Sequence, residues 1–499
     1  MKRNINQFKQ IPYDLLVVGG GINGAAVANL ASQNGLRVAL FDKGDFASGT
    51  SSKSTKLIHG GLRYLENFEF GLVRESLRER TAQLKSAPHL VKPLGFIIPV
   101  YKNDRRPLWM MKLGVSLYDF LSGKHIIHPY KPLTAEEVVH FVPSIEKKLL
   151  IGGVIYWDAQ MDDARLVLEN VLSADKHGAH VANYVEVRSM TKENGKAVGI
   201  KAKDLLTDEL FDVQAKKIVC AAGPWTNIFQ KKEMSKSPDK IRMTKGIHIV
   251  YDGRFSQHAV FIQSQKDQRV FFVIPWYGNT LIGTTDSDYF EHPDDVSVKK
   301  EDIKYLFDEA ARVFPEETFT DTKIITTFAG LRPLINKEGT SPGKVTRRHV
   351  IEESFSGIQY IFGGKYTTYR VIAQQSLQKI LKPKEISFSD HISLYGGEKL
   401  SKSPDTLGGE YGLEQNVIDS LIQTYGSRVE DVLRLTNQES SLKERIDPHS
   451  PIIKAQIRYS VDVEMAIKED DILIRRLPIS YTGTASSEVR RYIQSVLPQ

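Results

Sequence analysis

The stretch YDLLVVGGGINGAA, residues 13–26, decides the fold that we expect for this chain of 499 residues. A short apolar run rich in β-forming residues ends in three glycines, and a helical pattern follows from Ile22 to about Gln33. The next apolar run, RVALFD, predicts a second buried strand that ends at Asp42. Because a strand, a helix and a second strand in this order form the unit of a parallel sheet, the stretch predicts an α/β fold.

Gly19, Gly21 and Gly24 form a Gly-x-Gly-x-x-Gly pattern at the end of the first predicted strand. The first glycine permits a tight turn, the second lets the backbone approach a pyrophosphate, and the third lets the helix pack on the sheet. The free amides at the start of the helix attract phosphates. Asp42 has the spacing of a carboxylate that accepts from a ribose hydroxyl, so the pattern predicts a dinucleotide site. This carboxylate disfavours NADP and leaves both NAD and FAD open.

The composition is that of a soluble globular protein, with 41% hydrophobic and 25% charged residues. The formal charge of +7 suggests a basic patch for an anionic partner, but no arginine-rich block points to nucleic acid. The single cysteine, Cys220, excludes a disulfide within the chain and is expected to be buried. HIIH, residues 125–128, lacks further ligands, so we expect no metal site. No run of about 18 apolar residues occurs, so we expect no membrane span.

The pattern changes twice farther along the chain. Short apolar runs between residues 241 and 288 predict an antiparallel sheet, and the polar, then helical chain beyond about Pro383 predicts a separate C-terminal domain. The segment RRPLWMMKLGVSLYDFL, residues 105–121, is apolar and flanked by cations. It is typical of a core helix, and it also suits a helix that lies on a membrane surface.

Two turns share the order glycine, glycine and cation: HGGLR, with Arg63, and FGGK, with Lys365. One such turn is more typical of a surface ion pair, but two of them favour a site for an anion. Arg332 lies in the apolar segment GLRPL, where a buried guanidinium needs an anion or a ligand beside it. His248 lies on a predicted strand, a position that by itself is typical of an ordinary core or surface histidine.

The whole region from YDLLVV to HGGLRYLE, residues 13–66, closely resembles the start of the FAD-dependent glycerol-3-phosphate dehydrogenases. The motifs WDAQMDDARLVLENV, CAAGPW, KGIHIV, FFVIPW, IGTTD, LRPL and FGGKYTTYR follow in the order of that family. The resemblance covers about residues 12–380 and continues more weakly to the C-terminal AIKEDDILIRR.

The resemblance implies an α/β fold with a Rossmann-like FAD-binding domain of the glutathione-reductase/D-amino-acid-oxidase type. This domain is expected to be discontinuous, built from residues 10–90, 150–230 and 320–385. A substrate-binding cap with an antiparallel sheet is expected from residues 91–149 and 231–319, and a C-terminal helical domain from residues 386–499.

The implied reaction is the oxidation of sn-glycerol 3-phosphate to dihydroxyacetone phosphate, with electrons passing from reduced FAD to a membrane quinone. The resemblance implies a protein attached peripherally to the inner, cytoplasmic face of the membrane through an anionic lipid surface, and suggests a homodimer. The related oxidase, in which dioxygen accepts the electrons, is the first alternative; that family typically carries an extra internal insertion that this chain lacks. A catalytically silent flavoprotein that serves as an interaction module is the second.

By the same resemblance, Arg63, Tyr64 and Lys365 bind the substrate, and His248 and Arg332 carry the catalysis, with either of the two as the proton acceptor. Lys53 departs from the small polar residues usual in the loop after the second strand. The implied cofactor-binding residues are Gly19, Gly21, Asn23, Gly24, Asp42, Thr50, Ser51, Ser52, Lys56, Leu57, His59, Gly60, Gly223, Trp225, Asp286, Gly364 and Thr367.

Overall fold

The computed structural model describes residues 1–66, 68–317, 319–336, 348–381 and 394–498, except for the side chain of Arg63. The strands in these residues are β1 Tyr13–Val18, β2 Val38–Phe41, β3 Leu57–Ile58, β4 Val91–Tyr101, β5 Lys131–Leu133, β6 Leu150–Met161, β7 His180–Ala182, β8 Val185–Glu193, β9 Lys196–Asp204, β10 Leu210–Cys220, β11 Ile241–Tyr251, β12 Ala259–Gln263, β13 Val270–Trp276, β14 Asn279–Gly283, β15 Ser287–Tyr289, β16 Ile324–Ile335, β17 His349–Glu353 and β18 Ile358–Gly363.

The α-helices in the same residues range from single turns to a helix of 17 residues, Phe70–Ser86. They are α1 Ile5–Phe8, α2 Ile22–Gln33, α3 Phe70–Ser86, α4 Leu108–Ser122, α5 Ala135–Phe141, α6 Asp163–Lys176, α7 Thr226–Glu233, α8 Lys300–Val313, α9 Tyr369–Ile380, α10 Pro404–Tyr411, α11 Gln415–Tyr425, α12 Val429–Gln438, α13 Lys454–Asp462, α14 Ile479–Thr482 and α15 Ser487–Val496.

The first sheet has the strand order β17-β18-β10-β1-β2-β7, and its pairs from β18 to β7 are parallel. The central strands β1 and β2 are apolar and almost wholly buried, as strands covered on both faces should be. Helices α2, α6 and α9 pack together against one face. The predicted strand–helix–strand unit is confirmed, and α2 has the predicted bounds.

The second sheet has the order β15-β11-β14-β13-β12-β4-β6-β3, with β16 paired to β11. Strands β11, β14, β13 and β12 are antiparallel neighbours, which confirms the prediction for residues 241–288. Strands β6 and β16 also belong to this sheet, although the predicted domain boundaries at 150 and 320 place them with the cofactor domain. The sheet boundary differs from those predictions because pairing decides sheet membership: β6 pairs with β3, β4 and β5, and β16 pairs with β11.

Helix α4 packs on the core by one side only. Val115 and Tyr118 are fully buried, whereas Trp109, Leu113 and Phe120 on the opposite side are 64%, 63% and 74% exposed. The interpretation of this segment as a core helix therefore holds for half of its surface. Among the described residues, no helix has the length and apolar character needed to cross a membrane.

The C-terminal helices form two apolar cores of their own, and buried ion pairs connect the C-terminal segment to the loop after β2 and to α6. Arg476 donates to both carboxylate oxygens of Asp45, at 2.7 and 2.8 Å. Arg165 of α6 binds both carboxylate oxygens of Glu464, each at 2.8 Å. Removal of one partner of such a pair would leave a buried charge uncompensated, at a cost of about 3–5 kcal/mol.

Candidate active site

The glycine-rich turn has the geometry that the sequence predicts. Gly19 has a φ of +104°, which favours glycine, and a Cβ on Gly24 would lie only 1.8 Å from the carbonyl oxygen of Gly19. Helix α2 therefore starts in close contact with the turn. Its first amide, on Ile22, donates to the hydroxyl of Ser51 at 3.0 Å, which brings the loop after β2 over the helix start.

Asp42 follows β2 directly and is held by backbone amides. Its two oxygens accept from Gly20 N at 2.6 Å and from Gly44 N at 2.8 Å. Removal from water raises the pKa of Asp42 to about 6, against the lowering effect of both amides. A carboxylate has about four acceptor positions, so Asp42 retains capacity for a ribose hydroxyl.

A cavity of about 890 Å³ joins this turn to the second sheet. Its volume lies in the range of cofactor and ligand sites, and it is lined by loops from both sheets. The predicted site residues that line it are Gly19, Gly21, Asn23, Asp42, Thr50, Ser51, Leu57, His59, Tyr64, Gly223, Trp225, His248, Arg332, Gly364, Lys365 and Thr367.

Several predicted cofactor residues lie behind the cavity wall. Lys56 is 1% exposed, and its ammonium binds Asp163 Oδ1 and the carbonyl oxygen of Ser52, each at 2.6 Å. Burial opposes the charge, but Asp163 keeps the pKa of Lys56 above its ordinary value. Gly24 lies under the turn, as described above. Neither residue lines the cavity, and a role for either in binding the cofactor stays a prediction.

Gly60 also lies behind the wall, because a buried hydrogen-bond chain holds its amide. Gly60 N donates to Tyr118 Oη at 2.8 Å, and the hydroxyl of Tyr118 donates to Asp158 Oδ2 at 2.7 Å. Arg80 of α3 donates to the same carboxylate at 2.6 Å. A Cβ on Gly60 would lie 2.3 Å from Tyr118 Oη, so the turn closes on α4 only with glycine.

His248 occupies a slot on β11. Its ring stacks on Phe328 with a centroid separation of 4.9 Å, and a Cβ on Gly283 would lie 2.2 Å from the ring. Nε2 lies 3.0 Å from Thr55 Oγ1, and Nδ1 has no hydrogen-bond partner in the described part of the chain. Burial, and then the charges of Arg332 and Lys56, hold the pKa of His248 well below its usual value. The imidazole is therefore neutral at neutral pH.

Arg332 has the anionic neighbour that its apolar segment requires. It donates to Asp286 Oδ1 at 3.2 Å and to Thr284 Oγ1 at 2.8 Å. Asp286, predicted to bind the cofactor, is thus placed beside Arg332, and it does not line the cavity. Sequence reasoning missed this pairing because it depends on the contact between β16 and the segment after β14.

The register of β11 and β16 places His248 and Arg332 on one face of the second sheet. His248 pairs with Phe328, and Arg332 pairs with Thr244, four positions away along β11. The pair between them is Gly246 with Gly330, and both glycines line the cavity. A Cβ on Gly246 would lie 2.3 Å from Arg332 Nη2, and a Cβ on Gly330 would lie 2.5 Å from the carbonyl oxygen of Lys53, so the two glycines give room to the guanidinium and to the loop after β2.

The two glycine–cation turns contact each other. Lys365 Nζ donates to the carbonyl oxygens of His59 and Gly60, at 3.2 and 3.3 Å, and to Ser76 Oγ at 3.0 Å. The same ammonium lies 4.6 Å from the ring centroid of Tyr64. The ammonium of Lys365 therefore lies against the HGGLR turn, at the cavity that both turns line. The side chain of Arg63 lies outside the described residues, so its role stays a prediction.

Sequence reasoning missed Thr55, Tyr118 and Asp158 as supports of the site. Thr55 lies close to Thr50, Ser51 and Ser52, which the resemblance implies as cofactor residues, but its contact with His248 spans 193 residues. Tyr118 lies on helix α4 and Asp158 on strand β6, and nothing in the sequence around either residue indicates a contact with Gly60. Lys53 lines the cavity, and burial, followed by the charge of Arg475, lowers its pKa. In the described residues, no group of three or more acidic, histidine or cysteine side chains is arranged to bind a metal.

The site fits the FAD that the fold implies. The glycine cradle admits close approach of a pyrophosphate, and Asn23 Oδ1 at the start of α2 has no hydrogen-bond partner in the described residues. The cavity extends from there to His248 and Arg332, which is the arrangement that a dinucleotide with a reactive ring requires.

Comparisons with known proteins agree with this geometry. Residues 14–370 match the model of the FAD dependent oxidoreductase family, and residues 387–497 match the C-terminal domain of alpha-glycerophosphate oxidase. The chain is 39% identical to a glycerol-3-phosphate dehydrogenase of Synechocystis sp., over 96% of this chain and 91% of that one. It is 35% identical to the aerobic glycerol-3-phosphate dehydrogenase of Staphylococcus aureus, over 93% and 86% of the two chains.

Solved structures show the same fold. The glycerol-3-phosphate dehydrogenase from Bacillus halodurans complexed with FAD aligns with a TM-score of 0.78 and 29% identity, covering 99% of this chain and 95% of that one. The L-alpha-glycerophosphate oxidase from Mycoplasma pneumoniae aligns with a TM-score of 0.58 at 18% identity, covering 77% and 98%, which bears on the fold alone. The chain therefore belongs to the FAD-dependent glycerol-3-phosphate dehydrogenase/oxidase family and is an enzyme with FAD as its cofactor.

Proposed function

We propose that this enzyme oxidises sn-glycerol 3-phosphate to dihydroxyacetone phosphate and passes the electrons to a membrane quinone. The observation that carries the proposal is the shared cavity: the nucleotide turn, a neutral histidine, an arginine and the cationic glycine turns all line it. The names of the relatives agree with this substrate.

His248 is the proton acceptor in this proposal. Its lowered pKa keeps a lone pair available at neutral pH, whereas a guanidinium such as Arg332 stays protonated. As the C2–H bond breaks and the C2–O bond becomes a carbonyl, the hydroxyl proton goes to His248. When bound, FAD supplies the acceptor of the hydride from C2.

Arg332 stabilises the charge that develops on the C2 oxygen. Asp286 and Thr284 fix the orientation of its guanidinium, so little reorganisation is needed during the reaction. Lys365 and Tyr64 bind the phosphate of the substrate in this proposal. The family resemblance implies that Arg63 binds it as well. Lys365 also holds the carbonyls of His59 and Gly60, so it positions the turn as well as supplying charge.

Reduction of the bound flavin tests the substrate. The purified holoenzyme is mixed anaerobically with glycerol 3-phosphate, glycerol or 3-phosphoglycerate while the flavin absorbance is recorded. Bleaching by glycerol 3-phosphate and not by glycerol is the expected result, because glycerol lacks a group for the phosphate end of the site. 3-Phosphoglycerate shares the phosphate and the C2 hydroxyl, so it tests whether the site also distinguishes a carboxylate from a hydroxymethyl group at C1. An unchanged spectrum with glycerol 3-phosphate would overturn the proposal.

The oxidase is a second candidate, because the C-terminal residues match a model named after alpha-glycerophosphate oxidase. Reoxidation of the reduced enzyme separates the two acceptors. Fast reoxidation by a quinone analogue and slow reoxidation by oxygen supports the dehydrogenase. Rapid formation of hydrogen peroxide with little quinone reduction supports the oxidase.

In this proposal the exposed side of α4 contacts the membrane surface. Trp109, Leu113 and Phe120 form an apolar stripe, with the exposed cations Arg105 and Lys124 at its two ends. Apolar side chains between basic residues suit an anionic lipid surface.

Vesicle binding tests the membrane surface. Cosedimentation with anionic vesicles is expected to be salt-sensitive and to weaken in Trp109→Ser and Phe120→Ser. The matched control is Leu210→Ser, since Leu210 is 59% exposed and lies on strand β10. Equal binding by all three variants would remove α4 from the membrane surface.

A further inference from the structure

Three side chains meet at the solvent-facing edge of the cofactor cavity. Lys43 Nζ donates to both carboxylate oxygens of Asp294, at 2.6 and 2.8 Å. Trp225 Nε1 donates to Asp294 Oδ1 at 2.8 Å, and the lysine ammonium lies 4.5 Å from an indole ring centroid. All three residues line the cavity, and the side chains of Lys43 and Asp294 are 36% and 50% exposed.

These side chains come from the two bodies that form the cavity. Lys43 follows β2 and Trp225 follows β10, both strands of the first sheet. Asp294 lies in the single turn Pro293–Asp295, between β15 and α8, on the side of the second sheet. The contact therefore spans the cavity from one sheet to the other.

Trp225 also packs on the loop that covers the nucleotide turn. A Cβ on Gly49 would lie 3.0 Å from the indole Cζ3, so the ring rests directly on this loop. Thr50 and Ser51, the next residues, line the cavity, and Ser51 binds the first amide of α2. The indole is therefore one of the contacts that hold this loop, together with the hydrogen bond from Thr50 Oγ1 to the carbonyl oxygen of Leu331 at 2.6 Å.

We propose that Lys43, Trp225 and Asp294 form a latch that retains FAD by closing the edge of the cavity. Opening requires Asp294 to leave both partners, and FAD release follows this step. This inference requires only that the enzyme binds FAD, and it does not depend on the identity of the substrate. Since the ion pair is partly exposed, salt weakens it. Loss of the pair should therefore speed the release of FAD only by a modest factor.

The release of FAD from the holoenzyme tests the latch. Free-flavin fluorescence is followed after dilution of wild type, Asp294→Asn and Asp295→Asn at low and high salt. Asp295→Asn is the matched control, because it removes the same charge from the adjacent, exposed residue that does not line the cavity. We expect release about fivefold faster in Asp294→Asn, with little dependence on salt, and a wild-type rate in Asp295→Asn.

A double variant separates the latch from a general loss of stability. If the two side chains act through each other, Lys43→Met/Asp294→Asn releases FAD no faster than the faster single variant. Equal release rates in Asp294→Asn and Asp295→Asn would overturn the proposal. Additive effects of the two substitutions would also overturn it, as would a fall in the unfolding temperature of the apoprotein that accounts for the faster release. None of these readouts uses glycerol 3-phosphate, so they do not depend on the proposed reaction.

Discussion

The two ends of the cavity are built in different ways. The nucleotide end comes from one strand–helix–strand unit, in which Gly19, Gly24 and Asp42 lie within 24 residues of sequence. The reaction end joins His248 and Arg332 on the second sheet to Lys365 after β18. The first end depends on local backbone geometry, and the second depends on register and on contacts between distant segments. Damage to the first end should remove the cofactor, whereas damage to the second should leave it bound and stop turnover.

Gly24→Ala is expected to have the largest effect. Its Cβ would lie 1.8 Å from a backbone oxygen that cannot move without shifting the turn, so the purified protein should carry less than about a tenth of the normal FAD. Flavin absorbance per protein measures this. Gly409→Ala is the control, since a Cβ there meets nothing within 4 Å. Normal flavin content in Gly24→Ala would show that the close contact is not needed for FAD binding.

Arg332→Ala should lower turnover by about 10³-fold, the scale expected when a donor to a developing oxyanion is lost. Because Arg332 lies at the reaction end, FAD content should stay normal. Arg242→Ala is a matched control: Arg242 also lies on a strand and pairs with an aspartate, Asp288, but does not line the cavity. Flavin loss in Arg332→Ala would mean that the two ends are not separable.

Thr55→Val should lower kcat about tenfold with FAD retained, because His248 loses its partner at Nε2 while the side chain keeps its shape. Thr55→Ser keeps a hydroxyl and is expected to restore most of the rate. Steady-state kinetics with glycerol 3-phosphate distinguishes the two. Equal loss in both variants would point to packing and away from the hydrogen bond.

The pH dependence of kcat should show the smallest effect within the neutral range. His248 accepts a proton only when neutral, and its pKa is held well below 6.5, so activity falls only as the pH drops below that value. Saturating substrate is needed, because a phosphate monoester itself titrates near pH 6. An acid limb above pH 6.5 that disappears in His248→Asn would contradict the lowered pKa.

The nucleotide end could be read from the sequence because its signals are local. A glycine with positive φ, a glycine under a helix and an acid after the second strand each leave a mark at a fixed spacing. At the reaction end the pattern alone favoured an anion site at the two glycine–cation turns and an anion or ligand beside Arg332, and the family resemblance supplied the substrate and the role of His248. Without the resemblance, the position of His248 is typical of an ordinary strand histidine. The sequence around Lys365 does not indicate that its ammonium binds the carbonyl oxygens of His59 and Gly60.

Other features needed the structure even with the resemblance. Lys56, Gly60 and Asp286 were predicted to bind the cofactor, yet each is placed behind the cavity wall with a protein partner. Helix α4 shows the same limit, since its pattern fits both a core helix and a surface helix. The structure gives it one buried side and one exposed apolar side.

The sequence by itself determined the parallel sheet, the glycine turn and Asp42, because apolar periodicity and backbone strain act over a few residues. Tertiary structure alone decided which cation meets which carboxylate, and that Gly246 gives room to the guanidinium of Arg332. It also decided that Asp294 spans the cavity to Lys43. These are contacts between segments up to several hundred residues apart, and they follow from strand register and packing, which local patterns do not encode.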